Sequence, residues 1–215
     1  MTEHQTAPPW RVLLLGGASG VGKTVLAHKL ARHYGVSLLL VDDVRLAIQQ
    51  VTTPEQHPAL HYFLTTPDVW RQPEDDLLAG FTGVANALAP ALGVIVAHHL
   101  IVEGAGPLII EGDGVAPSLV GEQSPLLPHI LDATLMRDVR ALFVDEPDEN
   151  VIFANMLARR RSFERMPPEE QGANAHAAWL YGRWLREQAE KHHAPVIPAR
   201  SWETLFERTL ALLER

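Results

Sequence analysis

The segment Gly17-Ala18-Ser19-Gly20-Val21-Gly22-Lys23-Thr24 constrains this chain more than any other, because it fits the pattern GxxxxGK[ST]. An apolar run at 11–15 (RVLLL) precedes it and predicts a parallel strand buried on both faces. Residues 23–34 follow with Val25, Leu26, Leu30 and Tyr34 at helical spacing, and Gly35 stands where such a helix stops. In a turn between strand and helix, glycines adopt backbone angles that other residues resist. The loop N–H groups and the helix N-terminus then face an anion. All eight residues are therefore expected to cradle a nucleoside triphosphate. Lys23 is expected to reach the β- and γ-phosphates, and the Thr24 hydroxyl to ligate Mg²⁺.

Further strands are expected at 37–41 (SLLLV), 108–110 (LII), 141–144 (ALFV) and 194–197. Helices are expected from Val44 to about Gln50, at 129–136, 148–160, 173–193 and 202–214. Residues 74–101 predict one or two helices with a break or kink at Pro90. The proline- and aromatic-rich stretch 52–73 predicts short helices and loops, and 115–128 predicts loop. Strands alternating with helices imply an α/β fold, with a five-stranded parallel sheet and helices on both faces. One domain over 1–215 is expected, with an acceptor-side segment at about 44–101.

Composition narrows the partners. A formal net charge of −8 over 215 residues argues against a nucleic-acid surface, although a local arginine cluster still permits an anionic acceptor. The absence of cysteine removes disulfides, thiolate metal sites and cysteine nucleophiles. Residues 1–9 are polar and carry no apolar signal stretch. The apolar stretch 85–102 is interrupted by Asn86, Pro90, His98 and His99, which favours a core helix over a membrane span. A soluble cytoplasmic protein is expected, monomer or homodimer, with a small-molecule acceptor and neither nucleic acid nor membrane as partner.

Ligands of open parallel sheets bind beyond the carboxyl ends of the strands. Asp42 and Asp43 close the second strand as read here, and Glu111 and Asp113 follow the third. Glu111 is the favoured metal-supporting carboxylate, with Asp113 second and on the acceptor side; a plain turn is the competing use of Glu111-Gly112-Asp113-Gly114. Asp42 suits a catalytic carboxylate that takes or orients the acceptor hydroxyl proton, or else a helix cap. Asp43 and Arg45 are assigned to the acceptor.

Arg159, Arg160, Arg161 and Arg165 form the one dense basic cluster, just before Met166-Pro167-Pro168, which is expected to break regular structure. Mobile cations closing over phosphates would neutralise transition-state charge and exclude water, so a lid is expected at about 159–172. Arg160 is assigned to the transferred phosphoryl group, Arg159 and Arg161 to the nucleotide, and Arg165 to the acceptor. A solvated helix face paired with Asp148, Glu149 and Glu164 is the alternative. The histidines, His57 and His61 or the pairs at 98–99 and 192–193, lack an acidic third ligand at metal-site spacing. Tryptophans 10, 70, 179, 184 and 202 are expected to pack, with Trp70 and Tyr62 also candidates to line an acceptor pocket.

Together, GGASGVGKT, VDDVR, LIIEGDG, the arginine segment and the late PVIPA stretch resemble the 2-phosphoglycerate kinase-like P-loop proteins. More broadly they resemble the nucleoside-monophosphate-kinase class of small P-loop kinases. The resemblance implies ATP, Mg²⁺, a closing lid and a three-layer sheet in the order 2-3-1-4-5. It places Lys23 and Thr24 at the phosphates and metal, Asp42 and Arg45 at the acceptor, Glu111 as the third-strand acid and 159–165 in the lid. The middle segment, 52–76, is rich in proline and aromatics, and the resemblance does not match it to a phosphoglycerate pocket. Three functions follow: a kinase for a metabolite hydroxyl, an acid such as 2-phosphoglycerate among them; an antibiotic or nucleoside phosphotransferase; and a nucleotide-binding regulator without its own acceptor.

Overall fold

The computed structural model describes residues 7–120, 124, 133–159 and 162–214. Val12–Gly16 forms β1, and its five residues are all buried, as an apolar run packed on both faces requires. β1 is the central strand of a parallel sheet ordered β2-β3-β1-β4-β5, the order expected. The others are β2 (Ser37–Leu40), β3 (Leu108–Glu111), β4 (Val139–Asp145) and β5 (Val196–Pro198). Leu15 lies opposite both Glu111 and Leu142, and Leu40 lies opposite Glu111. This register brings the ends of β1, β2 and β3 level, so the chains leaving them share one edge of the sheet.

Helices cover both faces. α1 (Lys23–Tyr34) has the expected bounds and ends at Gly35, whose φ of 66° is left-handed. α2 (Val41–Val51) begins three residues earlier than expected, directly after β2. Asp42 and Asp43 therefore sit in its first turn, not at a strand end. Negative charge is favoured there because the first N–H groups of a helix point outward unpaired.

α3 (Pro58–Thr65) and a short 3-10 turn at Val69–Arg71 make up the middle segment. α4 (Glu74–Ile101) is one continuous helix through Pro90. Its buried residues, among them Leu77, Val84, Leu88, Leu92, Val96 and Leu100, form a stripe at helical spacing. Asn86, Pro90, Val94 and His98 recur every fourth residue on the exposed side. The helical hydrogen bond that Pro90 cannot donate is the one to the Asn86 carbonyl, which solvent can reach. α4 is long and apolar enough to cross a membrane by length and composition, yet its buried stripe from Val84 to Leu100 belongs to the main core with Leu13, Leu14, Ile109 and Ile110, and Leu77 packs with Val69 and Ala177. Arg11 ties its end to the sheet, donating to the carbonyls of Leu100 and His99.

α5 (Glu149–Ala158) is capped by Asp148, whose carboxylate accepts from the Asn150 N–H at 3.0 Å. α6 (Pro168–Lys191) starts five residues before the expected position. Pro168 opens this helix and does not interrupt it, since a proline at the first helical position lacks only a donor that would have no partner. α7 (Trp202–Leu213) closes the described chain. Of the helix expected at 129–136, residues 129–132 lie outside the described residues, and Ala133–Asp138 is a 3-10 segment. In the expected loop, Pro117–Val120 is also 3-10, while 121–123 and 125–128 lie outside the described residues.

Burial pushes the Asp145 carboxyl above the ordinary carboxylate range, against the opposing pull of Arg186, which donates to it at 3.2 Å. A raised folded-state value favours folding below the ordinary carboxylate range, and that gain is lost as pH rises through the raised value. Urea unfolding of Asp145→Asn and the parent chain at pH 4.5 and 7 should therefore show the difference shifting toward the variant at the higher pH. An unchanged difference would contradict this origin of the shift.

Candidate active site

The loop after β1 keeps the backbone conformations its glycines permit. Gly17 has φ 145° and Gly22 has φ 84°, both reserved for glycine in practice. A Cβ on Gly17 would lie 2.6 Å from the Val144 carbonyl oxygen, and one on Gly22 would lie 2.3 Å from the Trp202 ring. The Gly20 carbonyl accepts a 2.8 Å bond from the Asn155 side chain, which ties the loop to α5. Ala18 and Val21 are buried beneath the loop.

Lys23 is 4% exposed and folds back over the loop, donating from Nζ to the Ala18 carbonyl at 3.1 Å. The same Nζ is 3.9 Å from Glu111 Oε1. That oxygen also accepts the Thr24 hydroxyl at 3.1 Å. Glu111 is thus the last residue of β3 and meets the P-loop directly. Burial pushes its carboxyl above the ordinary range, Lys23 and the Thr24 bond oppose the shift, and Asp113 and Asp42 add to it. Ser19 donates to Asp113 Oδ2 at 3.2 Å, and Tyr181 of α6 donates to the Asp113 carbonyl at 2.6 Å. Glu111 at the end of β3 therefore meets the buried Lys23 ammonium, with Asp113 and Asp42 close enough to act on its carboxyl.

Two cavities flank this centre. The first, about 330 Å³, runs from Gly20 and Gly22 along α1 past Lys29 to Asn155, Trp202 and Phe206. The second, about 380 Å³, has Ser19, Asp42, Arg45, Asp113 and Tyr181 on its wall. Arg159, directly after α5, lines both. Asp42 accepts a 2.9 Å bond from Arg45, three residues on along α2.

Ser19, Asp42, Arg45, Asp113 and Arg159 thus converge around the second cavity beside Lys23, Thr24 and Glu111. Asp43 and Arg165 are exposed and line neither cavity. Arg160 and Arg161 lie outside the described residues. Residues 168–172 of the expected lid belong to the first turns of α6. Trp70 lines the second cavity, whereas Tyr62 borders a separate hollow between α3 and α4.

Trp202 packs against the core as expected and also lines the first cavity, as do Asn155, Lys29 and Phe206, which were not expected there. The position of Trp202 just past the carboxyl end of the last strand was the available signal.

Thr24 and Glu111 supply a hydroxyl and a carboxylate within 3.1 Å of each other, the hard oxygen donors Mg²⁺ takes. Among the described residues, no group of three or more His, Asp or Glu side chains is arranged to hold a metal ion.

No protein-family model matches the chain. It is similar to the 2-phosphoglycerate kinase of Pyrococcus horikoshii, at 25% identity over 193 residues, covering 86% of this chain and 58% of the relative. Similarity to the 2-phosphoglycerate kinase of Methanothermobacter thermautotrophicus is also 25% over 193 residues, covering 86% and 60%. The chain therefore spans about three fifths of the length of these curated relatives. Among solved structures, a deoxyadenosine kinase from M. mycoides superposes with a TM-score of 0.50 at 13% identity, covering 94% of this chain and 98% of that one. The likeness is one of fold.

Proposed function

We propose that this chain is an ATP-dependent small-molecule kinase that transfers the γ-phosphoryl group to an alcohol. The observation that carries the proposal is the pair of cavities meeting at Arg159, one beside the P-loop and Trp202, the other beside Asp42. A donor and an acceptor brought together from two adjoining compartments need such an arrangement.

In this account the loop N–H groups and Lys23 hold the β- and γ-phosphates. Thr24 and Glu111 would hold Mg²⁺, which when bound would neutralise phosphate charge. Asp42 orients the acceptor hydroxyl and receives its proton. The hydroxyl oxygen forms a bond to the γ-phosphorus, the bond from that phosphorus to the β-bridging oxygen breaks, and ADP departs with the bond's electron pair. Arg159 faces both compartments and offsets charge on the phosphates in flight. In-line displacement of this kind needs positioning and electrostatic stabilisation more than covalent chemistry.

Support also comes from the relatives, whose names make 2-phosphoglycerate the first acid to assay. The test is ADP release with Mg-ATP across phospho-acids, sugars, nucleosides and aromatic alcohols. Acceptor-dependent release supports a kinase, and its absence across the panel sinks one.

Trp202 lies against Gly22 at the mouth of the first cavity and is assigned as the surface on which the adenine stacks. Trp202→Ala should raise KM for ATP about tenfold, the cost of losing roughly 1–3 kcal/mol of base stacking. KM for the acceptor should stay near its original value. Equal rises in both would remove Trp202 from the donor side.

A further inference from the structure

The second cavity has walls of a particular chemistry. Four aromatic rings from three helices and one turn make a continuous surface along it. Phe63 stacks on Trp70 with centroids 5.4 Å apart and planes 23° from parallel. Phe63 also meets Phe81 at 4.7 Å, and Phe81 stacks on Tyr181 at 5.2 Å and 20°. All four rings line the cavity.

Among the described residues, the charged groups on the same wall are Asp42, Asp113, Arg45 and Arg159. They balance: Arg45 already donates to Asp42, and Arg159 is shared with the donor compartment. A small phospho-acid carries several anionic oxygens on a few carbons. In this cavity those oxygens could reach Arg45, Arg159, Ser19 and Asn174, but would also face two carboxylates and a bank of rings that offer them no hydrogen bonds, and such desolvation is costly. A flat ring meets the opposite conditions, because it can stack on the aromatic bank with centroids about 4.5–7 Å away. The volume of about 380 Å³ also falls within the ~300–1,000 Å³ typical of pockets for ring-bearing ligands of drug size.

We infer that the acceptor is an uncharged alcohol bearing a planar aromatic or heteroaromatic ring, which stacks against Trp70 and Phe63 while its hydroxyl reaches Asp42. This rests on the kinase assignment above and specifies its acceptor. The hydroxyl oxygen takes the γ-phosphoryl group from ATP, ADP leaves, and the hydroxyl proton passes to Asp42.

The experiment compares kcat/KM of the full chain with Mg-ATP for two sets of acceptors. One holds nucleosides and ring-bearing alcohols; the other holds 2-phosphoglycerate, glycerate and sugar acids. The expected result is turnover of at least one ring-bearing alcohol with kcat/KM at least tenfold above every acid. For that acceptor, Trp70→Ala should raise KM about tenfold through loss of one stacking contact, and Trp70→Phe should restore most of it. KM for ATP should hold in both variants.

Three results would overturn the inference. Preferred turnover of a phospho-acid would do so while leaving the kinase intact. A Trp70→Ala variant with unchanged acceptor KM would detach the aromatic bank from the acceptor. No ATP consumption with either set would remove the kinase and the acceptor together.

Discussion

Replacing Lys23 with methionine should lower the rate of the proposed phosphoryl transfer by roughly 10²–10³-fold, the loss seen when one preorganised charge donor is taken from a transition state. Lys23 is 4% exposed, and its ammonium is held in place by the Ala18 carbonyl and Glu111. It therefore needs little rearrangement to meet charge developing on a γ-phosphate. Methionine keeps much of the length and the apolar stem of lysine. The carboxyl left behind, Glu111, is already pushed toward its neutral form by burial, so it can take a proton and avoid standing as a lone buried charge. The fold should consequently survive, and circular dichroism with thermal melting checks that it does. A variant that is folded and as fast as the parent would remove Lys23 from the chemistry.

Asp42→Ala has the second large effect, but of a different kind. The turnover number should fall by about 10²–10⁴-fold, the range for loss of a general base. ATP affinity should be unchanged, because Asp42 lines the second cavity and not the one beside Trp202. Stability should change little. The Asp42–Arg45 pair is partly exposed, with side chains 47% and 28% accessible, and such helix-surface pairs contribute only about 0.3–0.5 kcal/mol. Steady-state kinetics together with calorimetric titration of an ATP analogue separate the two quantities. A parallel loss of ATP binding would place Asp42 on the donor side.

Some elements were legible in the sequence because their signals are local. The P-loop, α1 and its Gly35 stop are each specified by residues within a few positions of one another. Glu111 could be picked out because it directly follows an apolar run, and parallel strands deliver their next residue to the ligand edge. The start of α2 was misplaced because Val41 extends the apolar run SLLL, and β-branched valine suits a strand as well as a helix. What ends the strand is the pair of acidic residues that follows, drawn into a first helical turn. The start of α6 was misplaced because proline breaks a helix interior but not a helix entrance.

The aromatic wall of the second cavity was not legible as a unit, although Trp70, Asp42, Arg45 and Asp113 were each expected on the acceptor side. Phe63, Trp70, Phe81 and Tyr181 come from α3, a 3-10 turn, α4 and α6, and only tertiary packing joins them. The same is true of Arg159, whose place between two cavities depends on how α5 docks beside the P-loop through Asn155.

The central claim is that a phosphoryl group crosses from the P-loop side to an alcohol held near Asp42. Phosphorus NMR of a reaction with Mg-ATP and a turned-over acceptor tests it most directly. The account predicts a phosphomonoester signal growing in step with ADP, and its loss in Asp42→Ala while ATP binding persists. Inorganic phosphate growing in place of the ester, at a rate indifferent to acceptor and to Asp42, would contradict it.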